Sequence, residues 1–156
     1  MSVSATTRPP RPGEVDGRDY RFVSEEGFDR LVEQDAFLEW AEVFGRRYGT
    51  LAGPVLEGVH AGKDVLLEID IQGARTVRRK VPDAVLIFLV APSEEELARR
   101  LLGRHTESGP ELARRLGAAR EELAQAMWFD HVVVSDDVDR VAHRVAAIIE
   151  ASRTTG

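Results

Sequence analysis

The chain has 156 residues, of which 43% are hydrophobic and 31% charged, as is typical of one soluble globular domain. Its formal net charge of -6 argues against a general nucleic-acid binder, and the absence of cysteine excludes disulfides and thiolate metal sites. The longest uncharged apolar run, residues 84–92, is far shorter than the ~20 residues that cross a bilayer, and no secretory signal is recognisable. We therefore expect a cytoplasmic protein with no membrane segment and no nucleic-acid partner.

The first half of the chain is predicted to combine short strands with helices. Ser24, followed by Glu25 and Glu26, is typical of a helix cap, because acidic residues favour the positive end of the helix dipole. The predicted elements are a strand end at 2–7, a loop rich in proline and glycine at 8–17, a helix from Ser24, strands at 37–44 and 47–50 separated by Gly45, and a helix from Pro54 to near Gly62.

The second half alternates strands with longer helices. Residues 84–90 form a continuous apolar run, which is expected of a parallel strand covered on both faces, and Ser93 with Glu96 forms a capping box. The predicted elements are a strand at 65–69 ending at Asp70, a basic helix to Lys80, a strand at 84–90, a helix from Ser93 toward Gly103, a polar loop at 104–110, a helix at 111–127, a strand at 131–135 and a helix at 137–152.

This alternation predicts an α/β fold with a parallel sheet. Residues 20–50 differ, because short strands with a single helix indicate a mixed, largely antiparallel insertion. Ligands of open α/β sheets bind outside the carboxyl ends of the strands, and Asp70 is predicted to lie at such an end.

Two arginines in the first loop indicate an anion site. Arg8 and Arg11 stand three residues apart in a segment stiffened by prolines, and guanidinium groups match the oxygens of a phosphate dianion. Residues 9–12 also suit a polyproline helix that a peptide-binding domain could recognise. Both readings stay open from this segment alone.

Two carboxylates in or beside predicted strands suggest further chemistry. Glu39 could accept the N1–H and N2–H groups of guanine, donors that adenine lacks on that edge, although a solvated strand glutamate is the alternative. Strand alternation would bury Phe37 and point Glu39 elsewhere, or the reverse. Asp70 stands where phosphotransferases hold Mg²⁺, often through water.

A third cluster of arginines flanks the polar loop of the second half. Positive charge brought over transferring phosphate oxygens by a mobile segment accelerates phosphoryl transfer, and the arginines at 100, 104, 114 and 115 suit such a lid. The alternative is ordinary helix-surface charge with acidic partners one turn away, among residues 94–96 and 107.

Taken together, these segments resemble the guanylate kinase family in order, spacing and residue type, from Ser2 to about Glu150. The matching motifs are Ser-Val-Ser-Ala-Thr-Thr-Arg-Pro-Pro-Arg-Pro-Gly-Glu at 2–14, Asp-Tyr-Arg-Phe-Val-Ser at 19–24, Phe-Leu-Glu-Trp at 37–40, Tyr-Gly-Thr at 48–50, Glu-Ile-Asp-Ile-Gln-Gly at 68–73 and Arg-Leu-Leu-Gly-Arg-His-Thr-Glu at 100–107. So many spaced matches favour the family over each alternative taken singly.

The resemblance implies a parallel-sheet P-loop kinase core with a small mixed GMP-binding insertion at 20–50 and a helical lid at 104–117, in one domain over 1–156. It implies a phosphotransferase that converts ATP and GMP to ADP and GDP, or ATP and dGMP to ADP and dGDP, with Mg²⁺ near Asp70 through water. By position, Arg8, Arg11, Tyr20 and Tyr48 would hold the GMP phosphate, Ser4, Glu39, Thr50 and Asp70 would surround the guanine, and Asp70, Arg100, Arg104 and Arg115 would act on the transferring phosphates.

The chain departs from the family pattern at the ATP site. Guanylate kinases begin with a strand, a Gly-x-x-Gly-x-Gly-Lys-Ser/Thr loop that cradles phosphates, and a helix, whereas no Gly-Lys-Ser or Gly-Lys-Thr occurs in these residues. We therefore expect the N-terminal strand and P-loop to be missing from this chain. Ser135 stands where the family usually has an asparagine near the adenine.

Two hypotheses follow. The first is a guanylate kinase, favoured because the full guanine set and the lid arginines are present. The alternative is a non-catalytic guanylate-kinase-like module that binds a phosphopeptide or GMP through the same pocket.

Overall fold

The computed structural model describes residues 1–102 and 109–153, which cluster into two compact units, Met1–Ala84 and Val85–Gly156. The elements of the first unit are strands β1 (Ala5–Thr6) and β2 (Arg21–Phe22), helix α1 (Glu25–Glu33), strands β3 (Phe37–Val43) and β4 (Arg46–Leu51), and helices α2 (Ala52–His60) and α3 (Ile71–Lys80). The strands form one mixed sheet in the order β2-β1-β4-β3, in which β1 and β2 are parallel and the other two pairs antiparallel.

The hairpin of β3 and β4 turns on two residues. Phe44 and Gly45 both have positive φ angles, 51° and 74°. Two central residues of this kind are what a tight hairpin turn requires, because their twist matches that of the flanking strands. Gly45 was expected at this boundary, and the antiparallel pairing of the two strands is as predicted.

A register shift in β3 between Phe37 and Glu39 decides which side chains share a face. Phe37 pairs with Leu51 and Glu39 pairs with Thr50. Adjacent residues of a regular strand point to opposite faces, and directly opposed residues share a face. The irregularity therefore sends Phe37 to one face and Glu39 to the other. The separation expected from the sequence is observed, but strand alternation is not its cause, because residues two apart in a regular strand share a face.

The face that carries Phe37 holds the apolar core. Phe28 of α1 stacks on Phe37 with ring centroids 4.6 Å apart, and both are buried together with Ala5 and Leu51. Ser24 caps α1 as predicted, because its hydroxyl accepts a hydrogen bond from the Gly27 N–H. Full burial of an aromatic side chain contributes roughly 1.5–3 kcal/mol, so this cluster fixes α1 on the sheet and leaves the opposite face for polar groups.

The strand predicted at 65–69 is wrong. The segment before Asp70 has no regular secondary structure. Among the described residues it receives one backbone hydrogen bond, from the Ser2 N–H to the Leu66 carbonyl, at 2.9 Å. A strand is defined by repeated bonds to a neighbour, so an apolar run without such a ladder stays irregular. Asp70 consequently caps α3 rather than ending a strand.

The second unit holds a short parallel sheet. Its elements are β5 (Ile87–Val90), α4 (Glu94–Leu102), α5 (Gly109–Leu123), a 3-10 turn (Ala126–Trp128), β6 (His131–Val134) and α6 (Val138–Arg153). β5 and β6 pair in parallel, which confirms the predicted parallel strands, although β5 is shorter than predicted and the helix predicted at 111–127 ends at Leu123. Within the described parts of the chain, no helix has both the length and the apolar character that crossing a membrane requires.

Candidate active site

The polar face of the four-stranded sheet collects most of the candidate side chains. Thr6 pairs with Tyr48 and Glu39 pairs with Thr50, so all four point away from the apolar core. Tyr48 and Thr50 are two residues apart on β4, which spans about 7 Å. Ser4 precedes the core residue Ala5, so strand alternation places its side chain on this polar face too.

Glu39 is the buried carboxylate of this face. Its Oε1 accepts two hydrogen bonds from Thr50, one from the backbone N–H at 3.0 Å and one from the hydroxyl at 2.5 Å. Burial raises the pKa of Glu39, and the nearby charge of Asp70 raises it further, whereas the Thr50 bonds and Lys80 lower it. Glu39 is only 4% exposed, which contradicts the alternative of a solvated strand glutamate.

Asp70 and Lys80 approach Glu39 from α3. The Asp70 carboxylate caps the helix by accepting the Gly73 N–H at 2.8 Å and the side-chain amide of Gln72 at 3.2 Å. Lys80, at the other end of α3, donates from Nζ to the Phe37 carbonyl at 3.2 Å. A cleft of about 220 Å³ lies along this edge of the sheet, lined by Val32, Asp35, Phe37, Glu39, Trp40, Thr76 and Lys80.

The residues present are compatible with the Mg²⁺ expected near Asp70. Asp70 is half-buried, and its two carboxylate oxygens retain lone pairs beyond the two hydrogen bonds that they accept. No group of three or more potential ligand side chains is present among the described residues. A hard cation would therefore bind there mainly through water and substrate oxygens, as Mg²⁺ commonly does.

Arg8 is the centre of a second cluster on the first unit. Its Nη2 donates to Glu14 Oε1 at 2.8 Å, and its guanidinium lies 5.3 Å from the ring centroid of Tyr20 and 5.8 Å from that of Phe22. The hydrogen bond with Glu14 raises the pKa of Arg8, and contact with Tyr48 also raises it. The Arg8 and Glu14 side chains are 13% and 19% exposed, so the ion pair is largely removed from water.

The loop between β1 and β2 holds Arg11 in a different way. Glu14 Oε2 accepts the Arg11 N–H at 2.6 Å, and the Glu14 N–H returns a bond to the Arg11 carbonyl at 3.1 Å. This closes a turn, which argues against an extended polyproline helix through Arg11. The Arg11 side chain is exposed and makes no hydrogen bond or ion pair with the part of the protein that the structure describes.

Two tyrosines join this second cluster. The rings of Tyr20 and Tyr48 meet edge to face with centroids 6.2 Å apart. Burial raises the pKa of Tyr20, and the charge of Glu68 raises it further. Both changes keep the phenol protonated, so that Tyr20 can donate a hydrogen bond to an anion held by Arg8. The structure thus brings Arg8, Tyr20 and Tyr48 together as expected.

In the second unit, Arg100 forms hydrogen bonds with Glu96 and Ser135. Its Nε donates to Glu96 at 2.6 Å, and its Nη groups donate to the Ser135 hydroxyl at 3.2 Å and carbonyl at 2.7 Å. Arg99 also pairs with Glu96. Hydrogen bonds from Arg99, and to a smaller extent from Arg100, lower the pKa of Glu96 to about 2. Arg115 is half-buried on α5. Arg104 lies outside the described residues, as does the start of the segment 104–117.

Sequence reasoning gave no role to three residues that the structure places in the site. Glu14 orients Arg8, Gly73 lies against Glu39, and Lys80 faces the same carboxylate. Glu14 was recognisable only as the acidic end of the loop motif. Gly73 and Lys80 carry no signal of their own, because their roles follow from how α3 lies beside β3.

Comparison with known proteins identifies the family. The model of the family Guanylate kinase matches residues 1–152. The chain belongs to the guanylate kinase family. A guanylate kinase of Thermobifida fusca is 54% identical over 154 residues, 99% of this chain and 79% of that protein, and one of Rubrobacter xylanophilus is 55% identical over 148 residues, 95% and 78%.

A solved structure agrees. The crystal structure of guanylate kinase from Anaplasma phagocytophilum matches with a TM-score of 0.83 and 38% identity, over 96% of this chain and 73% of that one. The α/β kinase fold expected from the sequence is therefore confirmed, and the chain is a phosphotransferase of this family. Neither the family match nor these relatives support the alternative of a phosphopeptide-binding module.

Proposed function

We propose that the chain binds GMP on the polar face of its first unit and accepts onto it the terminal phosphoryl group of ATP, giving ADP and GDP. The observation that supports this most directly is the placement of Glu39. A buried carboxylate with one oxygen satisfied by Thr50 stands on the same sheet face as the Arg8 cluster, separated by about two residues of strand. One end can therefore read a base while the other holds a phosphate.

The base end of the site would distinguish guanine from adenine through the hydrogen-bond acceptors of Glu39. Guanine presents N1–H and N2–H to Glu39, whereas adenine has no matching pair of donors and would leave one oxygen of the buried carboxylate without a partner. Thr50 fixes the carboxylate, and Ser4 and Asp70 complete the guanine surroundings proposed from the family resemblance. The same contacts suit dGMP, because none of these groups needs the ribose 2′-hydroxyl.

The phosphate end is arranged for a dianion. Arg8 is held in place by Glu14 and by the aromatic rings beside it, so that little side-chain entropy is lost when a phosphate binds. Tyr20 and Tyr48 add hydroxyl donors. Arg11 has an exposed guanidinium, which can turn toward the phosphate.

The transfer itself needs positive charge over the migrating oxygens. When bound with ATP near Asp70, Mg²⁺ supplies part of this charge. We propose that Arg100, Arg104 and Arg115 supply the rest, and that Asp70 orients the waters around the cation. Arg100 would have to exchange its bonds to Glu96 and Ser135 for phosphate oxygens.

We further propose that these 156 residues carry the acceptor half of the site and that ATP needs a phosphate-binding loop of the family type. No Gly-Lys-Ser or Gly-Lys-Thr occurs among them, so the backbone cradle and its lysine are not available within this sequence. A coupled ADP-release assay with GMP as acceptor should give negligible turnover for these residues alone. Joining a family-type strand, loop and helix ahead of Ser2 should restore it, and robust turnover without them would contradict this proposal.

Glu39→Gln tests the base end. Glutamine keeps the carbonyl oxygen that Thr50 binds but presents an amide donor where guanine also presents donors. We expect GMP binding to weaken by about 1–3 kcal/mol, because a buried donor is left unsatisfied. Isothermal titration calorimetry on the folded chain measures this directly. Glu42→Gln, an exposed glutamate of the same strand, is the matched control and should bind GMP normally. Equal affinity in wild type and Glu39→Gln would refute the role of Glu39.

A further inference from the structure

The two oxygens of Glu39 have different surroundings. Oε1 already accepts the N–H and the hydroxyl of Thr50, which fill its two lone-pair positions. Oε2 accepts no hydrogen bond from any described residue. It lies instead against the first turn of α3, where a Cβ built on Gly73 would stand 2.5 Å from Oε2 and 3.1 Å from Cδ of Glu39. Gly73 therefore leaves room for the one oxygen that still has acceptor capacity.

The first turn of α3 is itself fixed. Asp70 accepts the Gly73 N–H at 2.8 Å, so the backbone beside Glu39 is held by the helix cap. Gly73 is buried, and its Cβ position also lies 3.2 Å from Cβ of Ile69. Real Cβ atoms do not approach another heavy atom as closely as 2.5 Å. Any side chain at residue 73 must therefore displace the flexible end of Glu39, since that carboxylate can move more easily than the capped backbone.

We propose that Gly73 is a specificity-determining positioning residue for guanine: its bare Cα lets Glu39 Oε2 occupy the position from which it accepts the N1–H and N2–H of the base. This inference rests on the proposed function, because it assigns the guanine-reading role to one oxygen of Glu39. Gly73 itself does not touch the nucleotide in this account. It acts through Glu39, and any side chain in its place degrades base reading while leaving the Arg8 cluster unchanged.

Gly73→Ala tests the proposal by comparing GMP with inosine monophosphate, which lacks the 2-amino group. In wild type, GMP should bind more tightly, because Oε2 accepts the additional N2–H. In Gly73→Ala we expect GMP affinity to fall about tenfold or more, and inosine monophosphate affinity to fall less, so that the preference largely disappears. Gly53→Ala is the matched control. Gly53 also lies in the first turn of a helix, and nothing stands within 4 Å of its Cβ position.

Glu39→Gln, measured beside these variants, distinguishes a failure of the role of Gly73 from a failure of the proposed function. If Glu39→Gln removes the preference for GMP and Gly73→Ala leaves it within twofold of wild type, the role of Gly73 is overturned while the proposed function stands. If Glu39→Gln also leaves the preference intact, base reading by Glu39 fails and the inference about Gly73 fails with it. Loss of preference in both variants, with Gly53→Ala normal, supports the proposal.

A second measurement keeps the test decisive even if nucleotide binding is lost altogether. Alanine raises the thermal midpoint when it replaces a helical glycine without a collision, as we expect for Gly53→Ala. Gly73→Ala should show a smaller rise, or a fall, in the wild-type background and a more favourable shift in a Glu39→Ala background, where the carboxylate is gone and only the closer contact with Ile69 remains. The same shift in both backgrounds would show that residue 73 and Glu39 do not press on each other, and would overturn the proposal.

Discussion

Glu39 in the first unit and Glu96 in the second are carboxylates in opposite situations. Glu39 is buried, its partners are neutral donors on one oxygen, and burial raises its pKa. Glu96 is paired with Arg99 and Arg100, which lower its pKa to about 2. The first carboxylate keeps acceptor capacity for a ligand, whereas the second is already neutralised by the chain. Glu96 is suited to hold arginines in place and Glu39 to read a base.

The arginines of the two units differ in the same way. Arg8 lies between Glu14 and two aromatic rings with 13% of its side chain exposed, so its position is set before any ligand arrives. Arg100 is 37% exposed and held by a glutamate one turn away and by Ser135. Ion pairs with this exposure are weak because solvent screens them, so phosphate oxygens can replace Glu96. Arg8 is therefore held in position before a ligand binds, whereas Arg100 can exchange its present partner for a ligand.

The largest effect that follows from this comparison is on turnover. Arg100→Ala should lower kcat by about 100-fold or more, because a positive donor to the transferring phosphate is lost, while the dissociation constant for GMP stays near that of wild type. Arg99→Ala is the control, since Arg99 shares Glu96 as partner but is 77% exposed. Both variants are measured by coupled ADP release in the chain extended with a family-type strand, phosphate-binding loop and helix ahead of Ser2. Equal losses in the two variants would mean that Arg100 is an ordinary surface charge.

The next effect is on GMP binding at the preformed site. Arg8→Ala should weaken GMP binding by about 3 kcal/mol, because it removes a charged donor and leaves Glu14 facing the phosphate without its partner. Calorimetry with GMP is the measurement. Arg18→Ala, in the same loop but 65% exposed and paired with Asp19, should bind GMP as wild type does. A loss for Arg18→Ala as large as for Arg8→Ala would indicate that only net charge matters.

Much of the first unit could be predicted from local sequence. The cap at Ser24 and the turn at Gly45 each follow from residue chemistry. Arg8, Tyr20 and Tyr48 were matched through motifs, and the fold brings them together. These features were accessible because each motif lies within a few residues of chain or belongs to a recognisable family pattern.

The rest depends on long-range placement. The irregularity in β3 is a property of its register with β4, and residues 65–69 lack the neighbour that would make a strand of an apolar run. The contact between Gly73 and Glu39 joins residues that are 34 positions apart in the chain. No periodicity of one segment encodes such a distance, so neither the direction of Glu39 nor the role of α3 could be derived from composition and spacing.

The smallest expected effect comes from changing the charge around Glu39. It tests how far the pKa of this buried carboxylate depends on α3. The groups that face it are Thr50 of β4 and, from α3, Asp70 and Lys80. Burial already raises the pKa of Glu39, and Lys80 is the group that lowers it from α3. Removing that charge should therefore raise the pKa further. In the proposed role of Glu39, GMP needs the ionised carboxylate, so we expect its affinity to fall as the pH falls through this pKa.

Lys80→Met keeps most of the side-chain stem and removes the charge. The acidic fall in GMP affinity should begin at a higher pH than in wild type, with a change of less than about 1 kcal/mol at neutral pH, because Lys80 is exposed and solvent weakens its influence. Calorimetric titrations with GMP over a pH series measure the shift. Arg79→Met is the control, since Arg79 donates to Thr76 and is not among the groups that move the pKa of Glu39. A shift toward lower pH in Lys80→Met would contradict the sign of this argument, because losing a nearby positive charge can only make the buried carboxylate harder to ionise.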